Sequence, residues 1–404
     1  MPSIMPATHA GTDAFIPRDF QEEHAVSRIA ARACIALPSL TIVCRRNAMS
    51  DPRVEAAIAH WAPRFVANGV PLSDFEEVTR GISKWDEWCA AWSARAAVHE
   101  ALGNEAMAAG YKYSAAEHLT RAGVCYHFAK FVFVQDYDQM RAAHIKAVEC
   151  RRTALPHLDP PGESVEIPYE RTRLHGNLRK PRGIARPPIV VMCMGLDSAK
   201  EEMDAYESIF LARGMATLAF DGPGQGEAEY ELSIRGDYEA VVKSVVDWIE
   251  QQDAIDARRI GLWGVSLGGY YAPRAAAFEK RVKACIALSG PYDWSDLWMQ
   301  MNPLTREAFR VRAKCDTPEA AREYGASLTL KGVASNITCP LYIVAGKLDR
   351  IVPWQDAERL AGEASGPVEL LIIEDGNHVA NNRAYRYRTQ SADWMARELG
   401  ATLL

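Results

Sequence analysis

The chain has 404 residues, 48% of them hydrophobic and 24% charged, with a formal net charge of −6. That composition is of a folded globular protein, and the length favours two domains over one. The acidic balance argues against nucleic acid or an anionic membrane surface as a partner, and no uninterrupted apolar run reaches the roughly 18 residues of a membrane-spanning helix.

Nine cysteines without C-x-x-C pairs fit neither a disulfide framework nor a zinc site. They read as reduced, mostly buried thiols of a cytoplasmic protein. Residues 1–48 mix Arg28, Arg32, Arg45 and Arg46 with Asp13, Asp19, Glu22 and Glu23, and Pro38 ends the short apolar stretch before it. The segment is too acidic for a signal peptide. It is expected to be a flexible extension or to lie upstream of the native start.

Residues 49–160 read as an all-helical (cap) domain. Asp51-Pro52 is an N-cap followed by proline at the first helical position, and Ser73 and Glu76 have the spacing of a capping box. Trp85, Trp88, Trp92, Ala96 and His99 recur at helical intervals, and further helices are expected over Tyr111–Phe133 and Asp136–His157. The aromatic residues, with Tyr126 and His127, either line a substrate pocket or pack a core, and core packing is the plainer role for each. Pro156, Pro160, Pro161 and Gly162 end the helical pattern.

Residues 161–404 read differently. A hairpin over Val165–Tyr169 and Leu174–Leu178 precedes Ile189–Met194, an apolar run of the kind buried on both faces of a parallel sheet. Strands and helices then alternate to the end, interrupted by helical material from Trp294 to about Leu330. This order implies a doubly wound, mostly parallel sheet with its site at the carboxyl ends of the strands.

One stretch organises this half. Gly264-Val265-Ser266-Leu267-Gly268 follows the strand Arg259–Val265 and opens an alanine-rich helix. Strand, glycine-flanked serine and helix are the context of a nucleophile elbow. A neutral serine needs a base to take its proton and a carboxylate to orient that base. Asp349 follows strand Pro340–Ala345 and His378 follows strand Val368–Ile373, giving the order Ser, acid, His. Asp375, three residues before His378, is the competing acid and is expected to stabilise its loop. The oxyanion of acyl transfer would be met by the backbone N–H groups of Leu267 and Leu196. Asp197 and Ser198 are expected to cap the helix starting near Lys200. Asp221–Glu227 lacks the G-K-[ST] ending of a phosphate loop and reads as a structural loop beside the pocket. Tyr270 and Trp298, flanking the catalytic loop in sequence, are candidate substrate contacts, and Tyr385-Arg386-Tyr387-Arg388 reads as a solvated helix face.

Met194-Gly195-Leu196-Asp197-Ser198-Ala199-Lys200-Glu201-Glu202, Phe220–Glu227 and the Ser266 elbow together resemble the 2,6-dihydroxypseudooxynicotine hydrolase family and its fungal polyketide-shortening relatives of pigment pathways. The likeness runs from about residue 51 to 400. It implies an α/β-hydrolase fold with the N-terminal helical domain and a short helical insertion after the strand that follows the elbow. It also implies hydrolysis of a carbon–carbon bond next to a ketone, in a β-diketone, aryl ketone or polyketide-type small molecule. Ser266, Asp349 and His378 would act without cofactor or metal, in a homodimer. Some members carry an extra acid after that strand, for which only Asp293 and Asp296 are available. Two other functions use the same parts: a carboxylesterase or amidase, and a non-hydrolytic lyase or cyclase.

Overall fold

The computed structural model describes residues 51–402; the expected extension at 1–48 lies outside them. The first part is helical: α1 (Pro52–Ala67), α2 (Leu72–Gly81), α3 (Trp88–Ala108), α4 (Lys112–Lys130) and α5 (Tyr137–Ala154). The Asp51 side chain accepts from the Arg53 amide at 2.9 Å and so satisfies one of the free donors of α1. Val54, Ala57, Trp61 and Phe65 form its buried stripe. The capping box does not form: α2 starts at Leu72, after an N-cap at Pro71, which leaves Ser73 inside the first turn.

Phe65 is the hub of the helical layer. Its ring stacks on Phe128 at 3.7 Å and lies 4.9 Å from Trp92 and 5.6 Å from Phe131. Trp85, Trp88 and Trp92 are fully buried in this cluster, so they are core and not pocket. Tyr111 and Tyr113 point away from it, into solvent.

Eight strands follow: β1 (Gly162–Tyr169), β2 (Thr172–Arg179), β3 (Ile189–Cys193), β4 (Ala216–Asp221), β5 (Ile260–Val265), β6 (Val282–Leu288), β7 (Leu341–Gly346) and β8 (Val368–Ile373). They form one sheet in the order β1-β2-β4-β3-β5-β6-β7-β8. The β1–β2 and β2–β4 pairs are antiparallel and the rest are parallel. Between them run α6 (Asp204–Leu211), α7 (Glu239–Ile249), α8 (Gly268–Phe278), α9 (Trp294–Leu297), α10 (Pro303–Arg312), α11 (Pro318–Gly325) and α12 (Gln355–Glu363), and α13 (Arg388–Glu398) closes the chain. Strands β3, β4, β5 and β7 are buried along their whole length, as the apolar runs of β3, β5 and β7 require, and β4 buries Thr217 and Asp221 as well.

Chain order reverses at β3, which pairs with β4 on one side and β5 on the other. A crevice opens at the carboxyl ends of strands at such a switch. Here it brings the loop after β3 alongside the turn after β5, because Cys193 is in register with Gly264.

The aromatic hub makes a testable claim on stability. Phe65→Ala should lower the free energy of unfolding by about 3–5 kcal/mol, whereas Tyr113→Ala should stay within about 0.5 kcal/mol. Urea-melt midpoints of the two variants against wild type distinguish a core from a pocket lining.

Candidate active site

The turn after β5 holds Ser266 at a φ of +55°, a left-handed conformation that a non-glycine residue adopts only under constraint. The constraint is supplied on both sides: the Ser266 amide donates to Leu288 O at 2.8 Å, and its carbonyl accepts from the Gly269 amide at 2.7 Å. Side chains cannot replace the flanking glycines. A Cβ on Gly264 would lie 1.9 Å from Gly268 O, and one on Gly268 would lie 2.0 Å from Cys193 O.

His378 Nε2 lies 2.8 Å from Ser266 Oγ, and His378 Nδ1 lies 2.8 Å from Asp349 Oδ2. The other carboxylate oxygen of Asp349 is already occupied, accepting from the amides of Ile351 at 2.8 Å and Val352 at 3.0 Å. Asp349 is therefore fixed in its turn with one oxygen left for histidine. That assigns the proton of the neutral ring to Nδ1 and leaves Nε2 as the acceptor for the serine hydroxyl.

The histidine turn is itself strained, with Val379 at φ +60° and Ala380 at +49°. Ser289, at the end of β6, holds it by accepting from the Val379 amide at 3.0 Å. Sequence reading missed this residue; its position immediately after β6 was the available signal. Asp375 pairs with Arg383 on the surface and does not compete for His378.

Ser266 and His378 face a tight cleft. Its opposite wall is α1 and the residue that caps its end, through His60, Trp61, Arg64 and Asn68. Arg64 donates to both oxygens of Glu202 at 2.7 Å and to Asp197 at 2.7 Å, and Asn68 donates to Glu202 at 2.6 Å. Burial disfavours the Glu202 carboxylate, but Arg64 and His127 outweigh it and hold the group well below the usual range. His60 stacks beside His378, ring centroids 6.3 Å apart. Burial first, and the His378 imidazole second, depress its pKa to about 4. His60 and Trp61 also line a second, more apolar groove between α1 and the start of α10.

The amides of Leu196 and Leu267 donate to no protein acceptor among the described residues. A three-residue grouping with metal-ligand spacing, His144, Glu201 and Asp221, lies behind the loop after β3. The Lys200 ammonium, 2.7 Å from both Glu201 and Asp221, already supplies a cation there.

With this geometry in view, the comparisons with known proteins are specific. Residues 202–402 match the prolyl oligopeptidase family model. The chain is 36% identical to 2,6-dihydropseudooxynicotine hydrolase of Paenarthrobacter nicotinovorans, over 86% of this chain and 93% of that one. It belongs to the 2,6-dihydroxypseudooxynicotine hydrolase family. The crystal structure of the 2,6-dihydroxy-pseudo-oxynicotine hydrolase superposes with a TM-score of 0.78, covering 84% of this chain and 95% of the other. The 20-hydroxy-prefusarin hydrolase FUS2 of Gibberella moniliformis is 33% identical over 54% of this chain, which spans about half (55%) of that protein. The protein is thus a hydrolase of the α/β-hydrolase fold.

In this member of the family several expected contacts lie elsewhere. Tyr270 is buried, with its hydroxyl donating to Gly236 O at 2.6 Å, and Trp298 packs edge-on against Phe309. Neither reaches the cleft. Asp293 caps α9 through the Ser295 amide and also bonds Thr329, while Asp296 is exposed near Lys331, so neither extra acid faces Ser266. Asp197 and Ser198 accept from Arg64 and do not cap a helix. The Tyr385–Arg388 run is only half solvated. Tyr387 is buried against the Tyr206 hydroxyl, and Arg388 donates to Ala67 O and to Asn68.

His60 gives this site an acid-sensitive element. The unfolded chain binds a proton at His60 near pH 6.5 and the folded chain only near pH 4, so its contribution to stability is present above pH 6.5 and is lost as pH falls through that interval. His60→Gln should show a smaller drop in thermal midpoint between pH 7 and pH 4.5 than wild type. Equal drops in the two proteins would rule this out.

Proposed function

We propose that this protein is a serine hydrolase that breaks a carbon–carbon bond next to a ketone in an aromatic or polyketide-type compound. The observation that carries the reading is the unbroken chain from Ser266 Oγ through His378 to Asp349, 2.8 Å at each link, facing the cleft beneath α1. The choice of bond is supported by the named relatives, hydrolases of a pseudooxynicotine and of 20-hydroxy-prefusarin.

In this mechanism Ser266 Oγ attacks the ketone carbon as His378 Nε2 takes its proton, and the Asp349 carboxylate stabilises the imidazolium. The oxyanion is met by the amides of Leu196 and Leu267. Collapse of the tetrahedral adduct breaks the bond to the neighbouring carbon. The departing carbanion, stabilised as an enolate or an electron-rich ring, receives the proton from His378 directly or through water. Water, deprotonated by the same histidine, then releases the carboxylic acid from Ser266.

Residues 49–160 serve as the cap and 161–404 as the catalytic domain, α1 contributing the wall that faces the nucleophile. The free cysteines, five of them buried, favour a reducing cytoplasm. The working assembly is a homodimer of the 44.7 kDa chain, which light scattering checks directly.

Activity decides between this reading and its rivals. Purified enzyme should hydrolyse aryl β-diketones, and quenching should trap an acyl group on Ser266 that mass spectrometry can locate. Ser266→Ala and Asp349→Asn should each lower kcat by about 10⁴-fold or more. Aryl esters turned over far faster than any diketone would make it an esterase, and full activity in Ser266→Ala would make it a lyase or cyclase.

A further inference from the structure

The glycine-rich run Asp221–Glu227 contacts the loop that carries Leu196. Gln225, 1% exposed, donates through Nε2 to Met194 O at 2.6 Å and to Gly195 O at 2.9 Å, and its Oε1 accepts from the Tyr238 hydroxyl at 3.2 Å. Carbonyls only accept, so the two backbone partners fix which end of the amide is nitrogen. The next carbonyl, Leu196 O, accepts from Arg312 Nη1 at 2.9 Å. Arg312 is anchored in turn on Phe131 O at 2.6 Å and on Glu229 at 3.1 Å. Three successive carbonyls, 194 to 196, are thus each held by a side chain from elsewhere in the fold.

The consequence follows from peptide planarity. In a trans peptide the Gly195 carbonyl and the Leu196 N–H point to opposite sides. Tying the carbonyl to Gln225 turns the N–H away from Gln225, where it meets no protein acceptor among the described residues. The loop lies directly against the nucleophile: a Cβ built on Gly195 would stand 3.2 Å from Ser266 Cβ.

We propose that Gln225 is a positioning residue for the oxyanion hole, clamping the Met194–Gly195 backbone so that the Leu196 N–H is aimed in advance at the charge developing beside Ser266. Tyr238 and Arg312 hold the clamp and its target in place. Oxyanion donors act by being oriented before the reaction begins, so a loop free to rotate forfeits much of their effect. The rest of the motif fixes Gln225 itself. Asp221 accepts from the amides of Lys200 at 3.0 Å and Glu227 at 2.9 Å, binding both ends of the arrangement together. Gly226 sits at φ +46°, where a Cβ would fall 2.0 Å from the Asp221 carboxylate, so no other residue can follow Gln225 in this turn.

The inference rests on Ser266 being the nucleophile but not on which bond the enzyme breaks. A fluorophosphonate probe separates these, because it phosphonylates an activated serine and places a phosphoryl oxygen in the oxyanion hole whatever the natural substrate. Gln225→Met keeps the length and removes the donors. Its second-order phosphonylation rate should fall about 10- to 100-fold, and kcat should fall by a similar factor with KM within about 2-fold. Tyr238→Phe, which removes one hydroxyl, should give a smaller fall of roughly 3- to 10-fold in the same rate and serves if Gln225→Met does not fold. A role confined to folding would lower the thermal midpoint and the labelled fraction while leaving the rate constant of the labelled protein unchanged. Rates within 2-fold of wild type in the folded variants overturn the proposal. A wild-type enzyme that the probe does not label at Ser266 overturns the nucleophile reading beneath it.

Discussion

Arg64 and Glu202 form the contact on which the site's shape depends. The Arg64 guanidinium lies on α1 with 11% of its side chain exposed, and Glu202 follows β3 with 1% exposed. Two parallel 2.7 Å bonds join them, and such a fork fixes angle as well as distance. Asp197, from the loop that carries Leu196, takes a further Arg64 nitrogen. One side chain therefore registers the helical wall against the very backbone proposed to meet the oxyanion. Removing one member of a buried pair leaves its partner charged without compensation, at a typical cost of about 3–5 kcal/mol. An apolar seam of equal area would stabilise as well but would not define one position of α1 over Ser266.

The same principle recurs along the seam between helices and sheet. Lys130 pairs with Glu229, which also binds Arg312, and Arg151 reaches Asp204 and Glu207. Lys200 is held well above its ordinary pKa against burial by Asp221, Glu201 and Glu227. These charges lie behind the reactive atoms and touch no substrate in the proposed mechanism. Their effect is to make the loop after β3 rigid from below while α1 holds it from above. Rigidity matters there because the elbow is strained: Ser266 and the turn after His378 sit in left-handed conformations that persist only when their surroundings over-determine them.

Much of this was legible in the sequence because it follows from local rules. Alternating apolar runs and helical periods gave the succession of strands and helices from β3 onward, and the glycines around Ser266 signalled a turn that only they can make. Asp349 and His378 were recoverable because each follows a strand, and a parallel sheet gathers carboxyl ends on one edge. What escaped were the contacts made across long separations. Asp197 and Ser198 look like helix caps until Arg64, more than a hundred residues earlier, is brought against them. Tyr270 lies in the first turn of α8 and Trp298 just past the end of α9, and both turn into the core. Arg388 reads as solvated until α13 is packed against the end of α1.

The cleft's composition bears on why a carbon leaving group is within reach of such a triad. A carbanion-like departure is favoured where a proton donor stands ready and dipoles are fixed in advance. Here α1 closes the cleft with Trp61 and with polar groups already committed to one another, Arg64 to Glu202 and Asn68 to Glu202. Committed groups do not reorganise as charge moves. His60, kept neutral by its surroundings, adds a polar edge beside His378 without adding a competing positive charge. In the proposed mechanism the site thus presents one proton donor, generated only when Ser266 has given up its proton, to whatever atom lies between His378 and the nucleophile. An ester would draw on the same proton for its leaving alkoxide, but a carbon leaving group depends on it far more, because an unprotonated carbanion is much the poorer leaving group.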